Sequence, residues 1–272
     1  MSSLKELISK PMLAPMYRVS DLPYRILCRK LGAGMCFTEM INVQALNKNN
    51  KATIELAKTH ELDIPVSAQL IGVKPKEFSE AINKLPEFNS FCLNLDCPSE
   101  FTTINGSGAI LMKRPARIAE IIKEMRNSRS NALICAKIRL KENILESIKL
   151  SKLIESNGAD YLIVHARTIK QKNSGYVNLV ALKRIKKEIG IPVIGNGSIK
   201  SKNDAEKITE KTKCNGIMIG KEAIENPNVF TQFSGIKPFS REALEKEFLK
   251  LCKSTGFEDK KRIEKHLMKL RA

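Results

Sequence analysis

The sequence predicts an α/β protein, a (βα)8 TIM barrel carrying a short C-terminal helical appendix. Short apolar runs alternate eight times with longer amphipathic runs. The alternation fills about 235 residues, the length such a barrel needs. Polar residues also recur at the C-terminal ends of the apolar runs, where a barrel places its site. A doubly wound open sheet shares the alternation, because periodicity does not show closure. No G-x-G-x-x-G follows the first run and no Walker motif occurs, so neither nucleotide-binding fold gains support.

The elements follow in order. Strand Met12–Met16 starts after Pro11, and helix Asp21–Leu31 opens on the Ser20-Asp21 cap and stops at Gly32. Strand Met35–Glu39 leads to a helical stretch, Val43–Ala57. Strand Val66–Ile71 is bounded by Pro65 and Gly72, and helix Pro75–Leu85 begins on its proline. Strand Phe91–Leu95 precedes helix Arg117–Asn127, strand Leu133–Ile138 precedes helix Ile144–Ser156, and strand Tyr161–His165 precedes helix Leu179–Ile189. Strand Val193–Gly195 follows Pro192 and leads to helix Lys202–Thr212. Strand Gly216–Ile219 and helix Glu222–Phe233 close the set. Each strand is short, apolar and flanked by turn residues or proline, as buried parallel strands are.

The alternation stops near Gly235, which divides the chain into a barrel, 1–235, and a helical region, 236–272. The latter carries two amphipathic patterns, Leu244, Phe248 and Leu251, then Ile263, Leu267 and Leu270. Its eleven basic and six acidic residues predict a basic outer face.

The whole chain has 47 Lys+Arg against 29 Asp+Glu, a net charge of +18. That excess favours a polyanionic partner, since Lys and Arg release counterions from phosphates. Charge alone does not separate tRNA, rRNA, DNA and an anionic membrane surface. No run is long and apolar enough to span a membrane, and MSSLKELISKPM lacks the apolar centre of a signal peptide. The seven cysteines are odd in number and contain no CxxC, which predicts reduced, mostly buried thiols in a cytoplasmic protein and no zinc site.

Glu39, Lys137, Arg139, His165, Arg167 and Asn196 end strands, Gln69 sits within the third, and Asn94 and then Cys97 follow the fourth. Cationic and amide groups with few carboxylates suit an anionic, hydrogen-bonding ligand rather than a divalent metal. The Gly195-Asn196-Gly197-Ser198 turn and Gly220-Lys221 can present backbone N–H groups to a phosphate. Cys97, before Pro98, could serve as nucleophile, as acid, or as neither. His60 and His266 fall on elements predicted to lie at the surface.

At these residues the sequence resembles the flavin-dependent tRNA-dihydrouridine synthases. The matching segments are APMYRVSDLPYR (14–25), FTEM (37–40), QLIG (69–72), NLDCPS (94–99), GSGAILMKRP (106–115), KIR (137–139), HART (165–168), IPVIGNGSI (191–199) and GIMIGKEAIENPNVF (216–230). The resemblance implies an FMN-binding barrel, NADPH as reductant, tRNA as substrate and a helical region that helps to hold it. It implies that Pro15, Met16 and Tyr17 line the flavin, that Gln69 and Lys137 hydrogen-bond its ring, and that His165 packs beside it. Asn196, Gly197, Ser198, Gly220 and Lys221 would hold its phosphate, Asn94 and Arg167 would contact the uracil, and Cys97 would donate the proton. No metal is implied, and a monomer is expected.

Several positions depart from the family pattern. Asp96 replaces a usual glycine beside the cysteine, Ser198 a usual aspartate and Lys221 a usual arginine. The segment after Ser99 lacks a usual basic residue, and the tail is short. Two other functions therefore stand beside tRNA uridine reduction. One is a weak or inactive paralogue acting as an RNA-binding protein, and the other is a different FMN-dependent pyrimidine oxidoreductase.

Overall fold

The computed structural model describes residues 4–271, and its core is a ring of eight parallel strands, with a two-residue strand Ile41–Asn42 added beside Leu70 and Ile71. These are β1 Met12–Leu13, β2 Cys36–Phe37, β3 Val66–Ile71, β4 Ser90–Leu95, β5 Leu133–Leu140, β6 Tyr161–Thr168, β7 Val193–Asn196 and β8 Gly216–Ile219. Each pairs with its neighbour in sequence from β2 to β8, and β8 pairs back onto β1. Leu13 N–H donates to Met35 O at 3.0 Å and Gly34 N–H to Pro11 O at 2.8 Å, drawing β1 against the start of β2. The ring is thus nearly closed, and the open doubly wound alternative falls away.

Alternation along the strands sorts two apolar layers. On β5 and β6, Cys135, Tyr161 and Ile163 face the barrel interior with Met12, Phe37, Cys92, Ile194 and Met218. Ala136, Ile138, Leu162 and Val164 face outward into the layer beneath the helices. Helix Leu4–Ser9, which the sequence reading missed, places Leu7 and Ile8 in the interior cluster and so floors the barrel. The same parity carries Lys137, Arg139, His165 and Arg167 onto the inner side, above the apolar layers.

Element bounds differ where local geometry intervenes. β1 and β2 are two residues each, shorter than expected, because their distal halves turn into loops at the barrel mouth. β5 and β6 run longer than expected, so Arg139 and Arg167 lie within strands rather than beyond them. The register slips after Arg139, which pairs with His165, while Leu140 pairs with Thr168. Bulges of this kind re-aim side chains beside active sites. The stretch expected as one helix over 43–57 is two, Val43–Asn47 and Lys51–Leu56, split where Asn49 takes φ 56°. The stretch expected over 222–233 breaks at Pro227 into Lys221–Glu225, a 3-10 turn Pro227–Phe230 and Thr231–Ser234.

The C-terminal region forms helices Arg241–Ser254 and Lys260–Arg271. His266 is not at the surface, as the sequence suggested, but buried. It lies 2.8 Å from Asp21 Oδ2, stacks on Tyr24 at 4.5 Å and rests against Phe248 at 4.8 Å. It therefore anchors the last helix to barrel helix Leu22–Lys30. Replacing it by alanine removes a partner of a buried carboxylate, so unfolding stability should fall by about 1–3 kcal/mol in urea titrations. No helix among the described residues is long and apolar enough to cross a membrane.

Candidate active site

A buried charge cluster sits at the C-terminal mouth of the barrel, centred on Asp96, the residue after β4. Lys137 Nζ on β5 donates to Asp96 Oδ2 at 2.5 Å. Arg139 Nε stands 3.1 Å from Asp96 Oδ1, and His165 Nδ1 on β6 stands 3.0 Å from the same oxygen. Burial alone would push the Asp96 carboxyl up, but Lys137, the His165 hydrogen bond and Arg139 outweigh it and hold the group ionised, well below the usual carboxylate range. For His165, by contrast, burial prevails. Burial lowers its pKa, the Asp96 carboxylate opposes that, and Lys137 and Arg139 add to the lowering.

Asn94 organises the loop that follows. Its Oδ1 accepts the N–H groups of Asp96 and Cys97 at 3.1 and 3.0 Å, and its Nδ2 donates to Gln69 Oε1 at 2.8 Å. Gln69 and Asn94 are both buried. Cys97 O accepts from Ala109 N–H at 2.9 Å and Thr102 Oγ1 at 3.1 Å. Gly108 takes φ +64°, and a Cβ there would come within 2.6 Å of Cys97 O, so this glycine allows the loop to close. Cys97 Sγ lies 3.4 Å from Ser99 Oγ. Cys97 is half-buried, whereas the other six cysteines are buried.

Arg167 joins the cluster to the β7 turn. Its guanidinium donates to Ser198 Oγ at 2.6 Å and to Gly175 O at 3.0 Å, and it stands 3.3 Å from His165 Nε2. Ser198 adopts φ 55° and Gly197 φ 122°, the left-handed geometry of a tight turn. Asn196 Nδ2 donates to Met218 O at 2.8 Å, tying β7 to β8.

The structure thus gathers Gln69, Asn94, Cys97, Lys137, His165, Arg167, Asn196, Gly197 and Ser198 at one mouth. Gly220 opens helix Lys221–Glu225 beside it, near Ala14 and Met16. Lys221 stands apart: its side chain is 82% exposed and pairs with Glu225 at 3.7 Å. Pro15 and Met16 are half-buried on the loop after β1, and Tyr17 is 66% exposed there.

The contacts of two residues named from the sequence, Asp96 and Glu39, are not legible there. Asp96 neighbours the thiol in sequence, yet its side chain turns inward onto Lys137 and His165. The i, i+2 spacing Cys92, Asn94, Asp96 was the available signal. The second is Glu39, whose carboxylate accepts from Arg18 N–H at 2.5 Å and from the guanidinium of Arg262 on the last helix. Burial pushes the Glu39 pKa up against both of these partners. No spacing in the sequence links residues so far apart.

As a donor set, Gln69, Lys137 and His165 fit one edge of a planar anionic heterocycle, and the Gly197-Ser198 turn fits a phosphate. Asp96 does not fit so simply, because its carboxylate already takes the Lys137 ammonium. No group of His, Cys, Asp or Glu among the described residues has metal-ligand geometry.

Comparison with known proteins places the chain in a family. The model for dihydrouridine synthase (Dus) matches residues 12–271. A probable tRNA-dihydrouridine synthase of Aquifex aeolicus is 31% identical over 81% of this chain and 71% of its own length. tRNA-dihydrouridine synthase B of Pseudomonas aeruginosa is 32% identical over 81% of this chain and 67% of its own length. A tRNA-dihydrouridine(20a/20b) synthase (NAD(P)+)-like protein of Mus musculus is 29% identical over 81% and 68%. Among solved structures, a 2-naphthoyl-CoA reductase complex superposes with a TM-score of 0.65 at 11% identity, covering 89% of this chain and 54% of that one, which speaks to the fold alone. Since the family model runs from the first barrel strand to the end of the last helix, this chain belongs to the dihydrouridine synthase family.

Proposed function

We propose that this protein reduces specific uridines of tRNA to 5,6-dihydrouridine, with FMN as cofactor and NADPH as reductant. The observation that carries the reading is the buried ring of Gln69, Asn94, Lys137, His165 and Arg167 at the barrel mouth, with the half-buried thiol of Cys97 beside it. The names of its relatives support tRNA uridine as the substrate.

Bound FMN would supply the hydride. Every other task falls to the protein. Gln69 and Lys137 would hydrogen-bond the ring, His165 would pack beside it, and Pro15, Met16 and Tyr17 would flank it. Asn196, Gly197, Ser198 and Gly220 would hold the phosphate, and Lys221 would join them by leaving Glu225. Asn94 and Arg167 orient the uracil, which must leave the RNA stack to reach them. Cys97 Sγ–H gives its proton to carbon 5, and the thiolate recovers one from solvent. The +18 charge serves the tRNA backbone, while the mouth selects the base.

The test is mass spectrometry of nucleosides from unmodified tRNA incubated with the protein, FMN and NADPH. A gain of two hydrogens on uridine is expected. The engagement of Lys137 by Asp96 favours one second reading, a non-reducing RNA-binding paralogue. A yellow protein that binds tRNA in a salt-dependent way without that mass gain would establish it instead.

A further inference from the structure

We propose that Asp96 is a tethered anion that competes with the flavin ring for Lys137 and thereby sets how tightly the cofactor is held. This rests on the flavin reading above and adds to it a determinant of cofactor affinity. The carboxylate lies on the cation and imidazole that the ring edge would use: Lys137 Nζ at 2.5 Å and His165 Nδ1 at 3.0 Å. Arg139 Nε, 3.1 Å from Oδ1, makes it a three-point contact. An anionic ligand at Lys137 must therefore displace a charge of its own sign, held by three groups in a site where solvent screens little.

The backbone shows how displacement can happen. Asp96 N–H is held by Asn94 Oδ1 at 3.1 Å, and Asp96 O accepts from Arg139 Nε at 2.8 Å. Both ends of the peptide unit stay pinned if the side chain turns away. Release is then a rotation about the side-chain bonds of one residue, and the adjoining Cys97 loop keeps its place through Asn94, Thr102 and Ala109. Asp96 thus tunes occupancy of the site without displacing the thiol.

The experiment is titration of FMN into the apoprotein, followed by quenching of flavin fluorescence. Asp96→Asn keeps the shape and removes the charge, and it is expected to bind FMN at least tenfold more tightly than the parent. Asp96→Glu keeps the charge and should bind no more tightly than the parent. A second measurement does not depend on the variants folding. In the parent protein labelled with nitrogen-15, FMN should shift the His165 Nδ1 resonance as its bond to Asp96 is lost. Equal FMN affinity in parent and Asp96→Asn would overturn this inference and leave the flavin reading standing. So would a His165 signal unmoved at saturating FMN. No FMN binding by either protein would overturn both.

Discussion

Changing Cys97 to alanine is expected to lower dihydrouridine formation by a factor of about 10²–10⁴, the usual worth of a positioned proton donor. Flavin and tRNA binding should stay within about twofold of the parent, because the variant removes one sulfur and leaves every backbone bond of the loop. Cys97 N–H would still reach Asn94 Oδ1, and Cys97 O would still accept from Ala109 and Thr102. The other thiols offer no substitute. Burial pushes Cys28, Cys36 and Cys135 far up, and Cys252 up to about 12. Single-turnover assays on preloaded, reduced protein would separate the chemical step from binding. A variant as fast as the parent would remove Cys97 from the acid role.

The largest effect on stability should come from Arg25→Leu. Arg25 is 1% exposed and its ion-pair partner Asp63 is fully buried. The guanidinium donates to both Asp63 oxygens, with 2.7 Å to Oδ2 at the closest, and to the carbonyls of Ser20 and Lys58 at 2.9 and 2.8 Å. Helix Leu22–Lys30 is thereby fixed to the 3-10 turn Glu61–Asp63 that precedes β3. Leucine would leave Asp63 buried with only the Thr59 hydroxyl, 3.2 Å away. Losing one member of a buried pair costs about 3–5 kcal/mol. Thermal melting should fall on the order of 10 °C. Arg25→Lys should recover only part, since an ammonium lacks the planar fork that meets both oxygens. A melting point within a degree or two of the parent would show that Asp63 finds another partner.

Sequence made the barrel legible because its signals are local. Pro65, Pro192 and Gly32 punctuate strands and helices wherever the chain turns. Most of the mouth residues were legible for the same reason, since Gln69, Lys137, His165 and Asn196 lie in the C-terminal halves of parallel strands that open onto one mouth. What escaped depends on distance in space. Asp96 reads as a loop residue until β5 and β6 stand beside it. His266 reads as a solvent-facing histidine in a basic helix until Asp21 and Tyr24, from the other end of the chain, close over it. The split at Asn49 and the register slip after Arg139 arise from backbone geometry that residue type alone does not dictate.

The pairing of β1 with β8 has a consequence for how the molecule is made. Met12 finds its partner, Met218, only after roughly 200 further residues have been synthesised, which takes about 10–40 s at ordinary elongation rates. Until then β1 has an unsatisfied edge, and so does each strand as it emerges. The ring cannot close until β8 has been made. The chain's lysine-rich surface then acts as a brake on self-association before any substrate is met, because strands flanked by like charge stack edge to edge poorly.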